Sequence, residues 1–233
     1  GLYTPDKGKI LLNHNGRLLT PEKFDRNTIG MVPQGDALFS ELTPSLSLDY
    51  RLRLLFPDMA RDVRHRIIRQ TVDRIGFRGL RRKQFLDTRI GHSDASGKVL
   101  SGGERRRANL CHELLSQPLI LLLDEPTSGL SSTDAEHILL LLKRLAVEEG
   151  LTILATVHQP SERSFRNFDR LLLLSYGGKA AYVGPAKEAV DRIVRITGMP
   201  SNDLGASEYL LNAQEVLATN PLIEKQEALK VQK

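Results

Sequence analysis

The amino-acid sequence predicts an α/β fold built around a mainly parallel central sheet. Four short runs are apolar at nearly every position, at residues 29–32, 119–123, 152–157 and 171–175. Continuous apolar runs indicate strands buried on both faces, as in a parallel sheet that is covered by helices. Stretches with helical periodicity alternate with these runs, and such alternation is typical of α/β proteins.

The composition of the 233-residue chain fits one large domain, or one domain with an appendage. With 40% hydrophobic and 26% charged residues, it is ordinary for a globular protein and argues against a disordered or fibrous chain. A single cysteine excludes an internal disulfide framework and fits a reducing compartment. No apolar run approaches the roughly 20 residues of a membrane span, and no signal peptide is recognised. We therefore expect this chain to be soluble.

The first half of the chain predicts a strand followed by a helical insertion. Residues 9–13 are predicted as an early strand with Gly16 at its turn. From Pro44 to about residue 90, apolar residues recur at helical spacing, with breaks at Pro57 and at 76–79. This stretch therefore predicts helices inserted between two strands of the sheet.

Two further helices are predicted between the later strands, over residues 104–116 and 134–149. Thr133 and Glu136 have the spacing of a capping box at the start of the second helix. Gly150 stands just past its end, where glycine commonly terminates a helix.

The last part of the chain predicts a hairpin and then helices. Gly177 and Gly178 lie between the runs 171–175 and 180–183, as expected for a tight turn between antiparallel strands. Two helices and a frayed, charged tail are predicted to follow, at 186–198, 207–217 and 218–233.

The net charge of +5 is spread unevenly along the chain. Residues 51–90 contain 12 Lys/Arg and 4 Asp/Glu, a balance of +8, so the remainder carries −3. A basic segment can attract nucleic acid or an anionic membrane surface. Between Val63 and Ile75, however, apolar residues recur at helical spacing and no aromatic residue interleaves with the charges, which favours a solvated helix face instead. We therefore expect no nucleic-acid partner.

The strongest local signal is the apolar run 119–123, which ends in Asp124 and Glu125. A parallel strand delivers such residues to the carboxyl edge of the sheet, where open α/β proteins bind ligands. One carboxylate there can hold Mg²⁺ and the next can orient an attacking water. The alternative is a strand that simply runs into an acidic turn.

A second signal is the sequence Ser-Gly-Gly-Glu at 101–104, which follows Leu100 and opens a helix. Ser101 and Glu104 form a possible capping box, which alone would explain both residues. Capping does not explain Gly102 and Gly103, since each glycine costs about 1 kcal/mol relative to alanine in a helix. Their unshielded backbone N–H groups favour an anion site at this helix start.

Two polar residues follow other apolar runs in the same way. His158 comes directly after 152–157, and Gln34 comes two residues after 29–32. An amide at Gln34 could bind a metal ion or water, although a turn residue after Pro33 is the simpler interpretation. A lone histidine is likewise more often structural.

The order of these features along the chain resembles the nucleotide-binding domain of ABC transporters. That family has four motifs in this order, the Q-loop, the signature motif, the Walker B motif and the H-loop. They correspond here to Gln34, to residues 100–104, to Asp124 with Glu125, and to His158. The resemblance runs from residue 1 to at least Pro185. It implies an ABC-type ATPase domain at 1–185, with a helical subdomain at about 44–117 and a C-terminal helical extension at 186–233 towards a membrane domain.

The residues within and around these motifs are similar to those of the G subfamily of half-transporters and its bacterial relatives. The segments that carry this similarity are Ser-Gly-Gly-Glu-Arg-Arg-Arg at 101–107, Asp-Glu-Pro-Thr-Ser-Gly-Leu at 124–130, Val-His-Gln-Pro-Ser at 157–161 and Tyr-Val-Gly-Pro at 182–185. The segment 206–211 is similar to the short helix that follows the domain in that subfamily.

The resemblance implies a site in which two such domains enclose two ATP molecules head to tail. Asp124 and Gln34 would lie at the Mg²⁺, with Gln34 also linked to the membrane domain. Glu125 would polarise the attacking water as general base, and His158 would contact the γ-phosphate.

The same resemblance implies contacts between the two domains. The signature residues expected to contact nucleotide bound to the partner are Leu100, Ser101, Gly102, Gly103 and Glu104. The residues expected at the dimer interface are Ser128, Gly129, Leu130 and Ser131. The family normally has Asp where this chain has Ser131, which puts the efficiency of coupling between the two sites in question.

The sequence contains no phosphate-binding Gly-x-x-x-x-Gly-Lys-Ser/Thr. Relative to the family, it begins just after the helix that this P-loop opens, so the first strands and the P-loop Lys are expected to be missing. Either the chain is a fragment of an intact transporter or it is a naturally P-loop-less paralogue. In both cases we expect the chain alone neither to bind ATP tightly nor to hydrolyse it.

Three functions therefore follow as hypotheses. The first is the ATP-hydrolysing domain of a transporter at the cytoplasmic face of a membrane. The second is a non-catalytic module that lends only its signature helix to a partner's ATP. The third is a soluble ABC ATPase that acts on nucleic acid or ribosomes, against which the transporter-like segments at 157–161 and 182–185 stand.

Overall fold

The chain forms two compact units in a computed structural model, Gly1–Thr156 and Val157–Lys233. The structure describes residues 7–14, 17–20, 27–35, 37–91, 97–158, 160–175, 178–201 and 205–219. The predicted turn at Gly16 and the predicted tail helix after residue 219 lie outside the described residues.

The strands described in the first unit form two small sheets. An antiparallel pair, β1 (Leu12–His14) and β2 (Arg17–Leu19), confirms a strand near the predicted start. A parallel sheet follows, with β3 (Ile29–Val32), β4 (Ile120–Leu123) and β5 (Thr152–Ala155) in the order β3-β4-β5. The predicted α/β class with a parallel sheet is confirmed.

The parallel sheet is buried on one face and open on the other. Leu121, Leu123 and Val32 point to one face and are almost fully buried. Gly30 lies on this face beside Glu113, so a helix approaches the sheet closely there. Met31 and Leu154, on the other face, are 59% and 60% exposed. The prediction of strands buried on both faces is therefore wrong for the described part of this sheet.

The helical insertion lies between β3 and β4, as the sequence predicts. Its helices are α1 (Pro44–Leu55), α2 (Arg61–Arg74) and α3 (Gly79–Asp87), and α4 (Gly102–Leu114) follows them. Thr43 caps α1, and Pro44 occupies the first turn, where a missing N–H costs little. The buried side chains of this helical part include Leu48, Leu52, Ile68, Val72 and Phe85.

The basic residues of the insertion are not all on a solvated face. Arg64 of α2 is only 8% exposed, and its Nε lies 2.6 Å from Asp49 Oδ1 of α1. Burial raises the pKa of Asp49, but the hydrogen bond and charge of Arg64, together with Arg53, outweigh it and lower the pKa below 3.8. The predicted solvated face is therefore wrong at Arg64, because α1 supplies a buried carboxylate opposite it.

The long helix α5 spans Ser132–Glu149 between β4 and β5. Its N-cap is Ser131, whose hydroxyl accepts from the Asp134 N–H at 3.1 Å. The predicted capping box of Thr133 and Glu136 is wrong, because the helix begins two residues earlier than its sequence pattern suggests. Gly150 ends the helix in the left-handed conformation, with φ of 67°, as predicted.

The residues described in the second unit form a hairpin and three α-helices. The elements are α6 (Glu162–Phe165), β6 (Arg170–Leu174), β7 (Ala180–Pro185), a 3-10 turn (Ala186–Glu188), α7 (Ala189–Thr197) and α8 (Ala206–Thr219). Antiparallel pairing of β6 and β7 confirms the predicted hairpin, although Gly177 lies outside the described residues. No helix within the described ranges is long and apolar enough to cross a membrane.

The core of the second unit crosses the predicted domain boundary. Leu173 and Tyr182 of the hairpin belong to the same buried cluster as Ile193 and Tyr209 of the helices that follow. The division into a domain at 1–185 and an extension at 186–233 stays a prediction. The role of 186–233 as an extension towards a membrane domain stays a prediction.

Candidate functional site

Polar side chains follow all three strands of the parallel sheet at the same edge. Val32 of β3, Leu123 of β4 and Ala155 of β5 pair across the sheet. The residues just beyond them include Gln34, Asp124 and Thr156. Since the strands are parallel, these residues meet at the carboxyl edge, the usual ligand-binding edge of such sheets.

The structure brings Gln34 and Glu125 together at this edge. The Gln34 Nε2 donates a hydrogen bond of 2.7 Å to Glu125 Oε2. The two residues are 91 positions apart in the sequence, so the parallel pairing of β3 and β4 is what places them side by side. An amide and a carboxylate in contact can together orient a small polar molecule such as water.

Thr156 joins the two carboxylate residues that follow β4. Its hydroxyl donates to Asp124 Oδ1 at 2.7 Å and accepts from the Glu125 backbone N–H at 2.9 Å. Sequence reasoning missed this residue, because it lies within the run 152–157 that was interpreted as an apolar strand. The available signal was a hydroxyl near the end of a strand adjacent to Asp124.

The backbone of Glu125 has an uncommon conformation, with φ of 43°. Non-glycine residues in this left-handed region cost on the order of 1–3 kcal/mol and persist only where their surroundings hold them. Here the N–H is held by Thr156 and the carboxylate by Gln34. This arrangement fixes the direction of the carboxylate relative to the sheet edge.

The second part of the candidate site is the start of α4. Ser101 caps the helix: its hydroxyl accepts from the Glu104 N–H at 3.2 Å, while Glu104 Oε2 accepts from the Ser101 N–H at 2.9 Å. The backbone N–H groups of Gly102 and Gly103 are not part of this capping box. Leu100, just before it, is 2% exposed and anchors the segment in the core.

The two glycines of this segment pack closely against the loop after β4 and the first turn of α5. A Cβ on Gly103 would lie 3.1 Å from Asp134 Oδ1, and one on Gly102 would lie 3.3 Å from Leu130 Cδ2. Both distances are tight, so close packing within the chain is itself a reason for glycine. The sequence alone does not show this reason, because it does not show which residues approach the two glycines.

The loop from Glu125 to α5 carries the residues predicted at a dimer interface. Ser128, Gly129 and Ser131 are exposed, while Leu130 is half-buried against Gly102. Ser131, the residue that departs from the family pattern, lies with its hydroxyl 2.9 Å from Asp134 Oδ2 and caps α5. Its role in this structure is therefore to start a helix. The interface itself stays a prediction.

His158 lies in the second unit and is exposed. Its predicted contact with a γ-phosphate stays a prediction. The neighbouring Gln159 lies outside the described residues.

The oxygen donors at the sheet edge fit the chemistry of Mg²⁺, which prefers carboxylates and commonly takes only one or two of them from a protein. Asp124 and Glu125 supply carboxylates, and Gln34 supplies an amide oxygen. Among the described residues, no three His, Cys, Asp or Glu side chains form a cluster that could hold a metal ion alone.

Comparison with solved structures identifies the fold as that of an ABC ATPase domain. One similar structure is a dimeric ATP-binding cassette in a post-hydrolysis state, bound to ADP and Pi. It superposes with a TM-score of 0.59 at 22% sequence identity, covering 79% of this chain and 76% of that chain.

The family model described as ABC transporter matches residues 1–128, which is 128 of the 233 residues. The chain belongs to the ABC transporter family, and its relatives include G-subfamily members. ABC transporter G family member 22 of Arabidopsis thaliana is 40% identical over 190 residues, 82% of this chain and 24% of that protein. G family member 26 of the same plant is 38% identical over 207 residues, 88% of this chain and 28% of that protein. The chain thus spans about a quarter of the length of these relatives.

Proposed function

We propose that the chain is the ATP-hydrolysing part of a G-type ABC transporter and that it powers transport across a membrane. The observation that carries this proposal is the hydrogen-bonded group of Gln34, Glu125, Thr156 and Asp124 at one edge of the parallel sheet. Phosphoryl transfer needs positioning and charge stabilisation more than covalent chemistry. A fixed carboxylate next to a second carboxylate and an amide meets that need.

In this proposal, Glu125 is the general base that orients and polarises the attacking water. Its left-handed backbone and the bond from Gln34 hold the carboxylate in one direction. Asp124, fixed by the Thr156 hydroxyl, and Gln34 would hold the Mg²⁺. When bound, Mg²⁺ would neutralise charge on the nucleotide phosphates. His158 would contact the γ-phosphate.

The start of α4 would act on nucleotide bound to a second ABC domain. The N-terminus of an α-helix attracts anions, because its N–H groups and dipole point towards the ligand. The segment 100–104 presents such an N-terminus, and Ser128, Gly129, Leu130 and Ser131 would line the interface between the two domains. The proposed assembly is a head-to-tail dimer that encloses two ATP molecules.

The helical insertion would carry the surface that couples ATP hydrolysis to a membrane domain. Helix α1 presents three exposed apolar side chains at four-residue spacing, Leu46, Tyr50 and Leu54, which are 48%, 48% and 81% exposed. Residues four apart share one face of a helix. This face is joined to Gln34 through the short connection between β3 and α1. It would contact the membrane domain at the cytoplasmic face.

A second candidate function is a signature-only module that completes a partner's ATP site. The observation that favours it is that the 233 residues contain no phosphate-binding Gly-x-x-x-x-Gly-Lys-Ser/Thr. On this hypothesis α4 still contacts nucleotide, but Asp124 and Glu125 take no part in hydrolysis. For the chain alone we expect no tight ATP binding, and micromolar affinity in calorimetry would contradict that expectation.

The deciding experiment is the ATPase rate of the full-length protein that carries this chain, with Glu125→Gln as the test variant. We expect kcat to fall by at least about a hundredfold, since a positioned general base contributes roughly 10²–10⁴ in rate. We also expect the variant to accumulate as an ATP-bound dimer.

The matched control is Glu148→Gln, a glutamate of α5 whose side chain is 67% exposed. Its turnover should equal that of the wild type. Near-normal turnover of Glu125→Gln would refute the general-base role. A wild-type protein that turns over ATP only when a P-loop-containing partner is added would favour the signature-only module.

A further inference from the structure

Helix α4 binds the loop that carries Gln34 as well as forming the signature segment. Arg106 lies one turn after the start of α4 and is only 5% exposed. Its Nη1 donates to the Pro33 carbonyl and its Nη2 to the Gln34 carbonyl, both at 2.8 Å. One guanidinium group thus holds two consecutive carbonyls that are more than 70 residues away in sequence.

The geometry of this contact is specific to arginine. A guanidinium is planar and presents N–H groups in a rigid fork, so two simultaneous bonds fix both the position and the orientation of the acceptors. A lysine at the same place would keep the charge and reach one carbonyl, but it would leave the loop free to rotate about that single bond.

A second contact attaches the same helix to the strand before the loop. Glu113, near the end of α4, accepts from the Met31 backbone N–H at 3.1 Å. Its carboxylate also lies 3.6 Å from Arg51 of α1. Helix α4 is therefore hydrogen-bonded to β3 through Glu113 and to the loop after β3 through Arg106. A displacement of the loop must displace α4 or break these bonds.

We propose that Arg106 is a positioning residue that couples the Gln34–Glu125 pair to the signature segment of the same chain. The links are continuous: Glu125 to the Gln34 side chain, the Gln34 backbone to Arg106, and Arg106 to the start of α4 one turn away. This inference rests on the proposed function, since it gives Arg106 a role in hydrolysis. Arg106 acts through Gln34 and does not itself touch the reacting atoms.

The test is a double-mutant cycle in the full-length protein, with Arg106→Met, Gln34→Ala and the double variant. We expect Arg106→Met to lower kcat by roughly 10- to 100-fold, the scale of a misplaced reacting group, with a much smaller change in KM for ATP. Because Arg106 acts through Gln34, the double variant should be no slower than Gln34→Ala alone. A purely structural role predicts effects that multiply.

Two further variants make the result specific. Arg106→Lys should recover part of the lost kcat, because it keeps one of the two bonds. Arg66→Met changes an arginine of α2 whose side chain is 63% exposed, and its kcat should equal that of the wild type. If Arg106→Met does not fold, Arg106→Lys replaces it in the cycle. Unchanged kcat in the Arg106 variants, or multiplying effects in the cycle, would overturn the proposal.

Hydrogen exchange separates a failure of this inference from a failure of the proposed function. A wild-type protein without ATPase activity would refute the proposed function alone. The amides of the segment 34–42 should still exchange faster in Arg106→Lys than in the wild type, with Arg66→Met unchanged. Equal exchange in all three proteins would refute the positioning role whatever the ATPase assay shows.

Discussion

The Gln34 amide and the Glu125 carboxylate are joined by a hydrogen bond of 2.7 Å across 91 residues of sequence. This contact exists because β3 and β4 are parallel neighbours that end in register. Thr156, beyond the third strand, then holds Glu125 through its backbone N–H. The ends of three strands are thereby connected into one polar group, and a change in any of them is expected to reach the others.

Replacing Thr156 with valine tests whether this group acts as a unit. The change removes the donor to Asp124 and the acceptor for the Glu125 N–H while keeping the side-chain shape. We expect the free energy of unfolding to fall by about 1 kcal/mol for the lost bonds, and kcat of the full-length protein to fall as well. Thr156→Ser should restore both quantities.

The matched control for this prediction is Thr152→Val, at the other end of the same strand. Thr152 is exposed and lies away from the carboxyl edge. Denaturant unfolding of the three variants gives the stabilities. Equal losses in Thr156→Val and Thr152→Val would show that the hydroxyl at the sheet edge has no special function.

Removing one partner of the buried Arg64–Asp49 pair is expected to cost much stability, and removing the second partner as well should restore most of it. Arg64→Met leaves the buried Asp49 carboxylate with only the exposed Arg53, and should lower the free energy of unfolding by about 3 kcal/mol. Asp49→Leu in the same chain should recover most of this loss, because no buried charge is then left unpaired. Denaturant unfolding checks both variants. A double variant as unstable as Arg64→Met would contradict the electrostatic explanation.

The burial of His112 leads us to expect that the folded chain loses stability as the pH is lowered. Burial, with a smaller contribution from the charge of Arg51, lowers the pKa of His112 to about 4 from 6.5. The unfolded chain therefore binds a proton at higher pH than the folded one does. The stability that neutral His112 contributes is present above pH 6.5 and is lost as the pH falls towards 4, by up to about 3 kcal/mol.

The measurement for this prediction is the free energy of unfolding between pH 7 and pH 4. In the wild type it should fall steadily across that interval, whereas His112→Gln should give a flatter curve. His112 Nε2 lies 2.9 Å from the Ser47 hydroxyl, and glutamine keeps a polar group there. Parallel curves for the two proteins would mean that other groups cause the pH dependence.

The open face of the parallel sheet predicts binding of an apolar dye. Leu154 is 60% exposed on the same face as Met31, with Leu122 of the central strand between them, so ANS should bind this face. Leu154→Gln should lower ANS fluorescence without lowering the unfolding midpoint, because the side chain already contacts water. Val147→Gln, on α5, changes an apolar residue that is 70% exposed and should leave the fluorescence unchanged. Fluorescence that is the same in all three proteins would contradict a binding face at β5.

The sequence predicts the elements of this chain better than it predicts their packing. Periodicity and apolar runs identify the strands of the sheet, the helical insertion and the hairpin, because these patterns are local. Burial of a strand on both faces is not local, since it depends on what covers each face. The exposed side chains of Met31 and Leu154 therefore could not be predicted from their runs alone.

The candidate site shows the same limit. Asp124, Glu125 and Gln34 are visible in the sequence because each follows an apolar run. Thr156 is not, because its importance depends on the neighbour across the sheet rather than on its own surroundings. The sequence pattern predicts Thr133 as the N-cap of α5 for a related reason. Several hydroxyl residues stand near the helix start, and only the backbone conformation selects Ser131.

The close approach of Gly103 to Asp134 changes how genetic data on the signature segment should be interpreted. An inactivating allele at Gly103 is easily attributed to lost nucleotide contact. Yet an alanine there also requires Asp134, in the first turn of α5, to move by a few tenths of an ångström. A second-site suppressor that shortens residue 134 would trace the defect to crowding within one subunit, whereas a defect in contact with nucleotide would not be suppressed in this way.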